Sequence, residues 1–174
     1  MSKIVLVLGG ARSGKSGYAL EQASGAQGRK AFIATAEALD DEIRLRIENH
    51  KQERGKEWDT FEEPLHIASV IESIKGKYDV ALVDCLTLWV SNIMHAGLSL
   101  DEEINKLVSS ISVSPPALLY IISNEVGLGL VPDSPLGRLY RDHLGRLNQK
   151  IARLATDVVF MVAGIPAKIK GETE

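Results

Sequence analysis

The chain has little that would cross-link it, anchor it in a bilayer or spread it over a polyanion. Its 174 residues include one cysteine, Cys85. A lone thiol excludes an internal disulfide and points to a reducing compartment. Cys85 itself reads as a small buried apolar residue rather than a nucleophile. No run approaches the roughly 18 apolar residues that a membrane helix needs. The start, Met1-Ser2-Lys3 followed by five apolar residues, is too short for a secretory signal. The expected location is therefore cytoplasmic. Positive charge is not in excess either: the formal net charge is −3, which argues against a nucleic-acid coat. Repeats, low-complexity tracts and linkers rich in Pro, Gly or Ser are also missing. The expectation is one catalytic domain over residues 1–174, within the usual allotment of about 100–200 residues.

What is present starts at the amino terminus. Ile4-Val5-Leu6-Val7-Leu8 leads into Gly9-Gly10-Ala11-Arg12-Ser13-Gly14-Lys15-Ser16 and then Tyr18-Ala19-Leu20-Glu21-Gln22-Ala23. The spacing G-x-x-x-x-G-K-S between a strand and a helix is the P-loop pattern. Glycines let the loop close around phosphate and take positive φ. Backbone N–H groups and the positive helix end then face the anion. In this reading Lys15 reaches the outer phosphates and the Ser16 hydroxyl lies on Mg²⁺. Arg12 either touches phosphate or is solvated.

Further along, apolar runs alternate with helical segments. This predicts an α/β fold: a P-loop NTPase (RecA-like) three-layer sandwich with a mainly parallel central sheet. Strands are expected at about 3–8, 31–34, 78–84, 118–123 and 157–163, with a short edge strand around 168–170. A short extended segment is expected at 58–64. Helices are expected from Lys15 to near Gly25, over 39–54, from Pro64 to about Ile74, over 86–94 and 100–111, and over 136–155. The second strand opens onto Thr35-Ala36-Glu37 at the edge where open α/β sheets bind ligands. Tyr78-Asp79-Val80-Ala81-Leu82-Val83-Asp84 places an acid after four apolar residues, a Walker-B-like pattern in which Asp84 either holds Mg²⁺, directly or through water, or caps the next helix; the P-loop beside it favours the metal. Asn124 and Glu125 follow a buried strand at the same edge, where they bind a ligand or hold the loop's backbone.

On the 39–54 helix, Leu39, Ile43, Ile47, His50 and Arg54 share an arc of roughly 80° at about 100° per residue. Neutral imidazole is a good nucleophile toward phosphorus. Lys51 and Arg54 beside it suit an α-phosphate and a departing pyrophosphate. Covalent nucleotidyl transfer is one reading of His50; a packed core histidine is the other.

These residues resemble a family. Gly9 to Ser16, Ile33-Ala34-Thr35-Ala36, Asp40-Asp41-Glu42, Arg46-Ile47, His50, Trp58, Thr60, Glu62, Pro64, Asn124-Glu125-Val126-Gly127, Arg141-Asp142 and Asn148-Gln149 look like the bifunctional adenosylcobinamide kinase / adenosylcobinamide-phosphate guanylyltransferase of cobalamin biosynthesis. The resemblance implies phosphorylation of adenosylcobinamide by ATP or GTP. It then implies transfer of GMP from GTP to adenosylcobinamide-phosphate, giving adenosylcobinamide-GDP and pyrophosphate. It implies that His50 carries the guanylyl group. It also places Gly9, Gly10, Ala11, Arg12, Ser13, Gly14, Lys15, Ser16, Ala34, Thr35, Ala36, Lys51, Gln52, Glu53, Arg54 and Glu62 around the nucleotide, with Asp84 at the Walker-B position. Gln52 and Glu53 depart from the Lys-Asp-Gly-Arg of some members. A homotrimer is implied as well. The competing readings are another P-loop kinase of small metabolites, with no covalent nucleotide on His50, and a GTP-binding module, which would want an N-K-x-D motif that this chain lacks.

Overall fold

The computed structural model describes residues 2–37 and 55–172. The helix expected over 39–54 lies outside the described residues. Among the described residues seven strands form one sheet: β1 (Lys3–Gly9), β2 (Lys30–Ala34), β3 (Trp58–Glu62), β4 (Val80–Asp84), β5 (Leu118–Ile122), β6 (Asp157–Val162) and β7 (Ile165–Lys170). Their order is β3-β2-β4-β5-β1-β6-β7. Every pairing is parallel except β6 with β7, an antiparallel hairpin. Among the described residues the helices are α1 (Lys15–Ser24), α2 (Ile67–Ile74), α3 (Leu86–His95), α4 (Leu100–Val113) and α5 (Pro135–Leu154).

Strands covered on both faces need apolar residues on both, and the central strands read as continuous apolar runs for that reason. Ile4 and Leu6 pack with α2, α3, α4 and α5 on one face. Val5 and Val7 pack with Ala19 and Ala23 of α1 on the other. The layers are thus helix, sheet, helix, with α1 alone among the described helices on its face.

Helix ends follow local chemistry. Ser99 Oγ accepts from Glu102 N to cap α4, and Ser134 Oγ accepts from Gly137 N ahead of Pro135 at the start of α5. One sequence expectation is corrected: Pro64 does not open α2, which begins at Ile67. Glu63 Oε1 accepts from both Leu65 N and His66 N, at 3.0 and 2.7 Å, so a side-chain-closed turn precedes the helix. The edge strand β7 is also longer than expected and begins at Ile165. Ala163 and Gly164 turn the hairpin with φ of 51° and 81°, the positive pair that a tight two-residue turn requires.

Candidate functional site

The strand register brings the site's residues to one edge. Ala34 lies opposite Glu62 and Asp84, Asp84 opposite Ile122, and Ile122 opposite Val7. At about 4.8 Å per strand, Glu62 and Asp84 stand roughly 10 Å apart, and Asp84 is as far again from β1. Two residues beyond Val7 the chain enters the loop at Gly9.

The loop is built around its glycines. Gly9 takes φ 152°, and a Cβ there would come within 2.6 Å of the Met161 carbonyl and of Ser13 Oγ. Gly14, at φ 93°, is the residue before α1, and no side chain caps that helix. No acidic residue occupies its first turn. The first N–H groups of α1 are therefore left for an anion, unlike those of the serine-capped α4 and α5. The β6–β7 turn braces the loop from outside, where Gly164 N–H donates to Ser13 O at 3.0 Å. Arg12 is exposed in a left-handed conformation, φ 54°. Gly10 and Ala11 are exposed beside it, and Ser16 is half-buried at the start of α1.

Lys15 folds back over this loop and is only 7% exposed. Its ammonium donates to Gly10 O at 2.5 Å and to Ser13 Oγ at 3.4 Å. Burial pulls its pKa below the ordinary lysine value, while Cys85 and Asp84 act in the opposite direction. Asp84 therefore acts on the loop lysine across the gap from β4. Burial, then the Asp84 charge, push the Cys85 thiol up to about 11, so it stays a neutral thiol at physiological pH.

Thr35 is fully buried, and it ties β2 to β4 at this edge. Its hydroxyl accepts from Cys85 N and donates to Cys85 O, both at 2.8 Å, and its N–H donates to Asp84 O. Asn92 of α3 donates to the Thr35 carbonyl at 2.7 Å and to Pro64 O at 3.1 Å. Thr35 thus sets the position of the Asp84–Cys85 segment, with Ala34 buried and Ala36 half-buried on either side of it. Glu62 is exposed at the end of β3. His50, Lys51, Gln52, Glu53 and Arg54 lie outside the described residues.

On the other side of the loop, Glu125 N–H donates to Gly9 O at 3.0 Å. Asn124 N–H donates to Thr87 Oγ1, and Asn148 Nδ2 donates to Asn124 O. Thr87 O in turn accepts from the Tyr140 hydroxyl at 3.1 Å. Nothing in the local sequence marked Thr87, Asn92 or Gly164 as supports, because their contacts join segments distant in the chain. Asn148 was marked only as part of the resemblance; in the structure it stands as a buried amide on the apolar stripe of Leu144, Leu147 and Ile151. A groove of about 340 Å³ opens nearby between α3 and α5, walled by Ser91, Met94 and His95 and by Leu136 and Tyr140.

An uncapped helix behind a glycine loop, a lysine folded into it and an acid two strands away define a P-loop nucleotide-binding protein. Solved structures agree on the fold. The flagellar accessory protein FlaH of Methanocaldococcus jannaschii superposes with a TM-score of 0.54 at 12% identity, over 98% of this chain and 79% of that one. An ATPase from the type III secretion system of pathogenic bacteria gives 0.57 at 10% identity, over 95% and 56%.

Sequence relatives narrow the class. The family profile described as cobinamide kinase / cobinamide phosphate guanyltransferase matches residues 5–169. The bifunctional adenosylcobalamin biosynthesis protein CobP of Pseudomonas aeruginosa is 42% identical over 169 residues, 96% of this chain and 97% of that protein. The bifunctional adenosylcobalamin biosynthesis protein CobU is 38% identical in Escherichia coli and 37% in Salmonella typhimurium, each over 96% of this chain and 99% of the relative. The chain belongs to the cobinamide kinase / cobinamide phosphate guanyltransferase family.

Proposed function

We propose that this chain catalyses two successive transfers to one acceptor, and that one phosphate cradle serves both. The observation that carries the reading is the loop of Gly9 to Ser16 facing Asp84 across the sheet edge, in a chain that matches this family almost end to end. In the first transfer the aminopropanol hydroxyl of adenosylcobinamide attacks the γ-phosphorus of ATP or GTP. An O–P bond forms, the bond to the β-phosphate oxygen breaks, and the hydroxyl proton leaves for solvent or a nearby base. The transition state spreads negative charge over the transferring group, so positioning and neutralisation dominate. The loop N–H groups hold the phosphates. Lys15, released from Gly10 O and Ser13 Oγ, supplies a cation to them.

In the second transfer a ring nitrogen of His50 attacks the α-phosphorus of GTP, and pyrophosphate departs. The phosphate oxygen of adenosylcobinamide-phosphate then displaces the histidine, which gives adenosylcobinamide-GDP. Lys51 and Arg54 suit the charge on the departing pyrophosphate, with Gln52, Glu53, Ala34, Ala36 and Glu62 completing the nucleotide site. His50 must be neutral to attack, and an ordinary histidine has a pKa of about 6.5. The yield of GMP-enzyme should therefore fall as pH drops through that range. Rapid-quench yields that stay constant down to about pH 5 would contradict a neutral-imidazole attack.

The donor set suits Mg²⁺. Among the described residues no group of three or more His, Cys, Asp or Glu could hold a metal alone. A magnesium ion that keeps its waters and takes phosphate oxygens needs only one or two protein ligands, here the Ser16 hydroxyl and the Asp84 carboxylate. Held there, the ion would supply positive charge to offset that of the phosphates.

We further propose a homotrimer in the cytoplasm. Among the described residues no helix is long and apolar enough to cross a membrane. Light scattering should return three times the chain mass. The kinase half is tested directly by incubating the protein with adenosylcobinamide and γ-labelled ATP. Label should pass to the corrinoid, and label released only as inorganic phosphate would reject the assignment.

A further inference from the structure

Two polar side chains behind the phosphate loop are buried without full satisfaction. Ser123 and Asn148 are 0% and 4% exposed, and neither Ser123 Oγ nor Asn148 Oδ1 has a hydrogen-bond partner among the described residues. An unpaired buried amide oxygen lowers stability. Leu144, Leu147 and Ile151 on the same stripe of α5 are fully buried, so an apolar residue at 148 would serve the core better.

The other end of the amide explains its presence. Asn148 Nδ2 donates to Asn124 O at 3.0 Å, while Thr87 Oγ1 accepts from Asn124 N at 2.8 Å. Both backbone groups of Asn124 are thus held by side chains, one from α5 and one from α3. The next residue, Glu125, donates its N–H to Gly9 O. Gly9 is closely surrounded, since even a methyl group there would strike Met161 O and Ser13 Oγ.

We propose that Asn148, with Thr87, is a positioning residue for nucleotide use. The pair clamps Asn124, so that Glu125 N–H fixes the carbonyl of Gly9 where the phosphate loop leaves the sheet. Asn148 acts through this chain of bonds rather than by touching the nucleotide. The proposal rests on the reading of Gly9 to Ser16 as the phosphate site.

Kinase kinetics on the full chain test it, together with direct titration of MgATP. In Asn148→Leu the nucleotide KM and Kd should rise about five- to tenfold, with kcat within about twofold and the KM for cobinamide unchanged, the pattern of lost uniform binding. Thr87→Val should show the same split, and Thr87→Ser, which keeps the hydroxyl, should return the wild-type value. The double variant Asn148→Leu/Thr87→Val should lose less than the product of the two single losses. Unchanged nucleotide KM and Kd in the folded variants would overturn the clamp, as would Thr87→Ser behaving like Thr87→Val. Should Asn148→Leu fail to fold, the two Thr87 variants decide. A wild-type chain with no nucleotide affinity would overturn the phosphate-site reading, and the clamp with it; unchanged variants of a wild type that binds overturn the clamp alone.

Discussion

Lys15 carries the strongest opposition between stability and function. Its ammonium is desolvated, so its folded pKa lies below the ordinary 10.5. Between those two values the unfolded chain binds more protons, and stability rises with pH across that window. Below the folded value the cost of the buried cation is fully present. Lys15→Met removes that cost and should melt at or above wild type at pH 7, with the gap narrowing as pH approaches 10.5. The same change should lower kinase kcat by about 10²–10³-fold, as loss of a preorganised charge stabiliser does. A variant that melts several degrees lower and turns over normally would contradict both statements. The loop was legible residue by residue, because phosphate wrapping demands glycines at fixed spacing and the strand and helix flank them. Asp84 was legible as an acid closing an apolar run. The role of Thr35 was not. The sequence resemblance puts it beside the nucleotide, and its hydroxyl bonds the N–H and carbonyl of Cys85 at the end of the neighbouring strand β4, a tie with no local trace in the sequence.

At the scale of elements, the site exists because strand ends are tied together. Thr35→Val keeps the shape and abandons two hydrogen bonds, leaving Cys85 N–H and C=O without that partner. The expected loss is about 1–3 kcal/mol, read as a lower urea midpoint at constant slope. An unchanged midpoint would mean that the tie contributes nothing. Ser134→Ala removes the cap of α5 and should cost about 1 kcal/mol without altering nucleotide KM. Most elements fell within a residue or two of expectation, since buried parallel strands are continuous apolar runs. Pro64 misled because proline favours a helix's first turn, and nothing nearby in sequence showed that Glu63 would take the two N–H groups first. Strand order was not legible at all. β1 lies between β5 and β6, more than a hundred residues away, and such pairings leave no local trace.

For the whole molecule, the likeness to FlaH and to the secretion ATPase speaks of fold alone, and the family match speaks of chemistry. A nucleotide that binds only the folded chain must stabilise it. At a free concentration of 100 times Kd, MgATP should add about 2.7 kcal/mol, visible as a raised melting temperature that chelation of the metal diminishes. The central claim is that His50 takes the guanylyl group from the α-phosphorus of GTP, in a step separate from the γ-transfer. Incubation with α-labelled GTP and Mg²⁺, followed by denaturation and peptide mapping, tests it most directly. The account predicts acid-labile, base-stable label on the peptide containing His50. It predicts no label in His50→Ala, in which phosphorylation of cobinamide persists. Label on another residue, or label that survives in His50→Ala, would contradict it.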